Sequence, residues 1–501
     1  MKAFLMNRDH DFDLQTKLPQ NHQALINDLG LNALLDAMAC GDEFILDVAK
    51  KAVLSGLNND PDTIRYRQSV LQDCLNNPSV VRAMYDLSAE SIEKERTAYF
   101  FSFLSKYPDS ILRRAIEVLQ VFVGMLQKLK TIADGGKDKF TSEGFTTFFA
   151  MLDEELGAEY FDRIQNHLKE LRFHDGFLIS AELGKGNKGD HHVLRKGQAV
   201  KMGWMKRIFA NKPPVYAFSI HERDESGARA LSELRDRGIN LVANALAQST
   251  DHILSFFRML RTELAFYIGG LNLHEKLALK GEPTSFPRLA VPDERRHTFH
   301  GLYDVCLALS LDEAIVRNDM KADDKDIVII TGANQGGKTT FLRSVGLSQL
   351  MMQCGMFVPA ESFCSSVCGN LFTHYKREED VTMKSGKLDE ELGRMSDIVD
   401  HLTPNSMLLL NESFAATNER EGSEISRQII GALLEKRIRI FFVTHLYEFA
   451  DGFFQKNSVK TVFLRAERRN DGGRTFRMIE GGPLRTGYGE DLYNKIFGTG
   501  K

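Results

Sequence analysis

Residues 331–340 read Thr-Gly-Ala-Asn-Gln-Gly-Gly-Lys-Thr-Thr, and this run restricts the chain more than any other stretch of it. Gly332 and Gly337 bracket four residues, and Lys338 and Thr339 follow. That is the GxxxxGK[ST] spacing whose backbone amides wrap a phosphate. Upstream, Ile327-Val328-Ile329-Ile330 is a β-branched run of the kind a buried strand uses, and Phe341-Leu342-Arg343-Ser344-Val345 opens a helical pattern downstream. A strand feeding a glycine turn that starts a helix aims free N–H groups and a positive dipole end at an anion. The expectation is an α/β domain in which Lys338 reaches the outer phosphates and the Thr339 hydroxyl holds Mg²⁺.

A phosphate turn of this kind needs a second strand ending in acids near the metal. Ser406-Met407-Leu408-Leu409-Leu410 is such a strand, and Asn411-Glu412 follows it. The first of these positions normally carries an aspartate supporting the metal, and the second a glutamate that polarises water. Asn411 can bond a metal-bound water but lacks the charge that holds a hard divalent cation tightly. Glu412 is available as general base. The strand Ile438–Val443 runs into Thr444-His445, which puts an imidazole where it could sense or stabilise a γ-phosphate.

The rest of the chain is of a different kind. At 501 residues it exceeds one ordinary core, and 43% hydrophobic with 26% charged residues is a globular balance. From about Asn21 to Gly135 apolar residues recur at helical steps, as in Ile111, Leu112, Ile116, Leu119, Phe122, Val123 and Leu126. Between 173 and 222 the character changes to a small β-containing insert. Phe177–Leu183 reads as a strand, Gly184–Gly189 as a glycine-rich turn, and Val215–Ile220 as a further short segment. Helical patterning returns from Leu241 to about Leu279, and Pro283, Pro287 and Pro292 punctuate a linker. The insert carries Lys185, Lys188, Arg195, Lys196, Lys201, Lys206, Arg207 and Lys212 around the lone Trp204, a pattern able to track a phosphate backbone or simply to face solvent. The net charge of −4 neither favours nor excludes nucleic acid. Six irregularly spaced cysteines suit a reducing compartment, and Cys364 with Cys368 has no second Cys/His pair at ligand spacing. The charged first residues are unlike a signal peptide and no apolar run is long enough to span a bilayer, so a cytoplasmic protein with no membrane partner is expected.

At these residues the chain resembles the MutS family of DNA mismatch-repair and recombination proteins. Ile330–Thr340, with its double glycine and preceding Asn334, resembles that family's phosphate loop, and Gly355-Met356-Phe357-Val358-Pro359-Ala360 is similar to the segment after its first helix. Ser385-Gly386 with Glu390 takes the place of its signature serine region. Asn411-Glu412, Glu421-Gly422, Thr444-His445 and Thr486-Gly487-Tyr488-Gly489 match later landmarks. Asn58-Asn59-Asp60-Pro61 with Ile64, Arg65 and Arg67 looks like the start of the family's helical core.

The resemblance implies a multidomain chain. It would have an N-terminal arm (1–20), a mainly α-helical core and lever domain (21–290) with the insert at 173–222 as a reduced clamp, and an α/β ABC-type P-loop ATPase domain (291–501). It implies ATP or ADP with Mg²⁺ as cofactors, bound by Gly332, Ala333, Asn334, Gln335, Gly336, Gly337, Lys338, Thr339 and Thr340. Thr339, Asn411 and Glu412 would lie at the metal, and Glu412 and His445 would be catalytic. A homodimer is implied, in which Ser385 and Gly386 complete the partner's site. Double-stranded DNA, read by backbone or shape, is the implied partner, with Lys185, Lys188, Arg195, Lys196, Lys206 and Arg207 as contacts. Nothing in the sequence resembles the family's mismatch-reading or connector domains, so the expectation is a shortened form.

Overall fold

The computed structural model describes residues 1–100, 108–173, 176, 178–195, 216, 219–221, 223–377, 386–469 and 473–485. They divide into two compact units. One is Met1–Ala3, Arg82–Asp138 and Thr146–Arg261; the other is Phe4–Val81, Lys139–Phe145 and Thr262–Lys501.

The helical expectation for 21–135 is met by α1 (His22–Leu29), α2 (Leu31–Ala39), α3 (Glu43–Ser55), α4 (Pro61–Asn76), α5 (Pro78–Phe100) and α6 (Pro108–Gly136). The breaks between them have local causes. Gly30 takes a left-handed conformation that ends α1, and the carboxylates of Asp42 and Asp60 cap the first amides of α3 and α4. α7 (Glu143–Glu155) and α8 (Ala158–Glu170) follow.

In the first unit, Leu112, Ile116, Leu119, Phe122, Val123 and Leu126 line one face of α6, and Phe122 meets Phe257 with ring centroids 5.9 Å apart. Its small sheet is an antiparallel hairpin, β1 (Leu178–Leu183) with β2 (Gly189–Arg195), closed over a tight turn at Lys185–Asn187. The glycine-rich run is therefore a hairpin turn, and β2 adds a strand that the sequence reading did not anticipate. Of the expected Val215–Ile220 segment, 215, 217 and 218 lie outside the described residues, and 216, 219 and 220 are not in a strand.

α9 spans Glu225–Leu279, starting well before Leu241. Its first turns are exposed on most sides, so they carry little apolar periodicity, while the Asp224 carboxylate accepts the Gly227 amide and marks the start.

The second unit holds two sheets. The larger has the order β12-β11-β6-β10-β9-β8, from β6 (Ile327–Thr331), β8 (Leu371–Tyr375), β9 (Met407–Asn411), β10 (Arg439–Val443), β11 (Thr461–Arg468) and β12 (Arg474–Glu480). All neighbours are parallel except the β11–β12 hairpin. Strands β6, β8, β9 and β10 are buried along nearly their whole length, which is why β6, β9 and β10 read as near-continuous apolar runs rather than alternations. The smaller sheet runs β3-β7-β4-β5, from β3 (Arg288–Ala290), β4 (His297–Leu302), β5 (Asn318–Lys321) and β7 (Ser362–Ser366).

Helix α10 (Val305–Ser310) precedes β5, and α11 (Lys338–Gln353) leaves the end of β6. α11 is buried at thirteen of its positions, Ser344, Ser348, Gln349 and Gln353 among them, so it is a core helix with little amphipathicity. Gly346 lets it approach the sheet closely: a Cβ there would sit 2.7 Å from Leu409 and 2.8 Å from Leu29. The remaining elements are α12 (Lys387–His401), α13 (Glu419–Glu435) and α14 (Tyr447–Gln455). No helix among the described residues is long and apolar enough to cross a membrane.

Candidate functional site

β10 lies between β6 and β9, so the C-terminal ends of all three strands open on one edge of the sheet. From β6 the chain enters the 332–337 turn, from β9 it enters Asn411-Glu412, and from β10 it enters Thr444-His445. Residues scattered over more than a hundred positions meet there because parallel strands present their C-terminal ends together.

The turn has the conformation its glycines allow. Gly332 has φ +116° and Gly337 φ +88°, and Gln335 between them is also left-handed at φ +57°. The neighbouring hairpin is what demands glycine. A Cβ on Gly332 would stand 2.9 Å from the Ala466 amide nitrogen, and one on Gly336 2.7 Å from the Ala466 Cβ. Lys338 is buried, and its Nζ donates to the carbonyls of Gly332 at 3.0 Å and Ala333 at 2.8 Å, across the mouth of the turn. Burial, reinforced by nearby Arg474 and opposed by Glu412, pushes its ammonium down to about 8.

Thr339 Oγ1 donates to Asn411 Oδ1 at 3.1 Å, which brings together two of the three residues assigned to a metal. The third, Glu412, points elsewhere: its Oε1 lies 3.2 Å from His445 Nε2 and its Oε2 3.9 Å from Lys376 Nζ. The hydrogen bond with His445 holds the Glu412 carboxyl below the usual carboxylate range. Glu412 has φ +54°, an unusual backbone for a residue without glycine's freedom.

A cavity of about 490 Å³ opens from this edge. Residues Asn334–Thr340 and Glu412 line it together with the apolar Leu311, Ile315 and Val316, and Phe476 lines it beside Gly337, where a Cβ would come within 3.4 Å of the Phe476 Cβ. The set fits a polyphosphate attached to a flat apolar group, since glycine amides and a buried lysine share one cavity with hydrocarbon and an aromatic ring. For a divalent cation the donors are Thr339 and Asn411, both neutral, with Glu412 turned to His445, so the charge would come mainly from the phosphates.

The apolar wall, Phe476, and Arg474, whose Nη1 donates to Gln335 Oε1 at 2.7 Å, escaped the sequence reading. They come from the 311–316 segment and from β12, neither of which carries a local pattern. Phe476 has φ +61°, visible only in the folded backbone.

Of the other expected residues, Gly386 is the N-cap of α12 with open space around it, and Ser385 lies outside the described residues. Lys185 and Lys188 are exposed at the turn of the β1–β2 hairpin, and Arg195 Nε donates to Ser180 Oγ at 2.9 Å. Glu182 and Asp190 share that hairpin, with His191 Nδ1 3.7 and 3.8 Å from their carboxylates. Lys196, Trp204, Lys206, Arg207 and Thr486–Gly489 lie outside the described residues. Cys368 is buried against Gln349 and Gln353 of α11.

A glycine turn joining a buried parallel strand to a core helix, beside an Asn-Glu strand end, defines a protein built on an α/β domain with parallel strands whose C-terminal ends share one edge. Comparison with known proteins gives the family: residues 59–280 match the MutS2 N-terminal domain and residues 328–496 match MutS domain V, and the chain belongs to the MutS family. It is similar to the DNA mismatch repair protein MutS of Thermotoga neapolitana, 30% identical over 232 residues, covering 46% of this chain and 28% of that one. The protein of the same name from Lactobacillus gasseri is 27% identical over 264 residues, 50% of this chain and 31% of the relative. For Lactobacillus acidophilus the match is 26% over 403 residues, 76% of this chain and 46% of the relative. The chain thus spans less than half the length of these curated relatives.

Proposed function

We propose that this protein binds ATP at the end of β6, in a composite site completed across a dimer, and hydrolyses it to drive clamping on mismatched, branched or otherwise distorted duplex DNA, in mismatch repair or a related repair or recombination process. The observation that carries the reading is the convergence at one sheet edge of the 332–337 turn, buried Lys338, the Thr339–Asn411 pair and the Glu412–His445 pair. On this reading residues 291–501 form an ABC-type ATPase domain and 21–290 a helical core and lever domain, with 1–20 as an arm and 173–222 as a clamp tip.

Amides of Gly332–Thr340 and Lys338 bind and orient the triphosphate, and the 311–316 wall with Phe476 excludes water from the base. Glu412, kept ionised beside His445, accepts the proton of the attacking water. Mg²⁺ held by Thr339 and Asn411 would supply charge neutralisation at the phosphates. Two chains would face each other, with Ser385 and Gly386 completing the partner's site in a cytoplasmic homodimer. DNA would be held through its backbone and shape, with Lys185, Lys188 and Arg195 among the contacts.

The test has two arms. Lys338→Ala should weaken ATP binding by more than tenfold, about 1.4 kcal/mol or more; equal affinity in parent and variant sinks the site. Titration with duplex, mismatched and branched DNA at several salt concentrations should give a steep negative slope of log affinity on log salt. A flat slope, or no binding, would favour an ABC-type ATPase acting on a protein partner.

A second reading has its own observation. Asn411 brings no charge to the metal and its side-chain oxygen is engaged by Thr339, which favours a nucleotide-gated clamp that binds ATP and turns it over little. Steady-state turnover separates the two.

A further inference from the structure

Strands β9 and β10 begin at Met407 and Arg439, at the opposite end of the sheet from Asn411 and Thr444. A second, much smaller cavity lies there. It measures about 10 Å³, and Arg295, Ser366, Cys368, Asn405, Met407 and Arg439 are among the residues that line it. Two of these are arginines, and both are buried, Arg295 at 7% exposure and Arg439 at 8%. Arginine is almost never taken out of water unless it is paired, because a lone guanidinium loses its hydration without recompense.

The charges around this cavity do not balance. Arg295 Nη2 lies 2.8 Å from Asp326 Oδ1, and Arg296 Nη1 lies 3.0 Å from Asp323 Oδ2, so each acid already holds a guanidinium. Arg439 has no such partner. Its Nη1 donates to the Arg296 carbonyl at 2.8 Å, and no carboxylate among the described residues stands at ion-pair distance from it. Burial, and then the charge of Arg295, push the Arg439 guanidinium down to about 10, so it stays protonated at neutral pH. Cys368 brings no negative charge, because burial pushes its thiol up to about 12. One positive charge is left over.

Hydrogen bonding is incomplete in the same place. Arg295 Nε and Asn405 Oδ1 are buried without a hydrogen-bond partner among the described residues. Ser366 Oγ cannot serve them, since it accepts the Arg296 amide at 2.9 Å and donates to the Val291 carbonyl at 2.8 Å. A water molecule would satisfy an orphaned donor but leave the charge standing, whereas an anion does both. The volume suits one atom-sized guest, which is too small for phosphate, sulfate or a nucleotide.

We propose that Arg295 and Arg439 form a binding site for a single halide ion, chloride under ordinary salt. The ion neutralises the surplus guanidinium where β9 and β10 begin, and so stabilises the strands whose far ends carry Asn411-Glu412 and Thr444-His445. The site shares no residue with the nucleotide cavity and stands whether or not that cavity takes ATP.

The experiment melts the full chain at constant ionic strength while chloride replaces gluconate. The parent should show a saturable rise in midpoint of about 2 °C or more, the behaviour of a ligand that binds only the folded state. Arg439→Met removes the surplus charge and should lose the chloride dependence. Asn405→Asp carries a carboxylate to the same cavity, on a left-handed backbone (φ +63°) that Asn and Asp both tolerate. In gluconate it should melt where the parent melts in chloride, with no further response to chloride, and it tests the site even if Arg439→Met does not fold. Crystals of the parent soaked in bromide should give an anomalous peak in contact with both guanidinium groups. A midpoint indifferent to chloride, an equal chloride response in parent and Asn405→Asp, or a water molecule alone at this position after the soak would each overturn the proposal.

Discussion

On the proposed reading, the buried Lys338 ammonium should make nucleotide binding a proton-linked event. Its pKa is pushed down to about 8 by burial, with Arg474 adding to the effect and Glu412 opposing it. A triphosphate beside the ammonium favours the charged form, so binding returns the pKa toward or above its ordinary 10.5. The sign follows. Below about pH 8 the lysine is protonated in both states and binding takes up little proton; above it, binding must recruit one. At pH 9 roughly 0.9 proton should be taken up per nucleotide, against roughly 0.1 at pH 7. Affinity should therefore fall by up to about tenfold per pH unit above pH 8, and the gap up to 10.5 corresponds to about 3.4 kcal/mol in all. Calorimetric titration of ADP in two buffers of different ionisation enthalpy, from pH 7 to pH 9.5, measures the uptake directly. Lys338→Met should abolish both the uptake and the pH dependence. Uptake below about 0.2 proton at pH 9 would refute the argument, because the free-state lysine would then be as easily protonated as one in water.

Asn411→Asp restores a carboxylate 3.1 Å from Thr339 Oγ1 and should lower the Mg²⁺ concentration for half-maximal turnover; an unchanged requirement would remove position 411 from the metal. Glu412→Gln should abolish turnover with ATP still bound, and hydrolysis at the parental rate would mean the base lies elsewhere. Neutralising Lys185, Lys188, Arg195 and Lys196 should flatten the salt dependence of DNA binding by about 0.9 for each phosphate left without its cation, and DNA-free ATP turnover should stay unchanged. An unaltered slope would move the DNA surface off the hairpin. Glu263, buried while it accepts the Leu5, Met6 and Phe12 amides of the N-terminal segment, has its carboxyl raised to about 7 by burial. In the unfolded chain it ionises near 4.5, so the folded state holds the proton longer and stability should fall as pH rises from about 4.5 to 7. Denaturant melts of Glu263→Gln should lack that component, worth about 1.4 kcal/mol per pH unit at most, and an identical pH profile in parent and variant would rule it out.

What the amino-acid sequence determined by itself is what is contiguous. The strand–turn–helix from Ile327 to Val345 was legible because glycine spacing, β-branched residues and a helix start act within a few residues of one another. The buried strands before Asn411 and Thr444 were legible for the same reason, since strands covered on both faces read as unbroken apolar runs. The exposed early turns of α9 and the short β2 were not, because neither buries enough of itself to impose a period on the sequence. Tertiary structure alone decided which side chains meet. Thr339 finds Asn411, and His445 finds Glu412, through the register of parallel strands joined by long crossovers, and no local pattern encodes that register. Arg474 and Phe476 reach the glycine turn because β11 runs parallel beside β6 and β12 folds back along β11, and the same packing leaves no room for a side chain at Gly332 or Gly336.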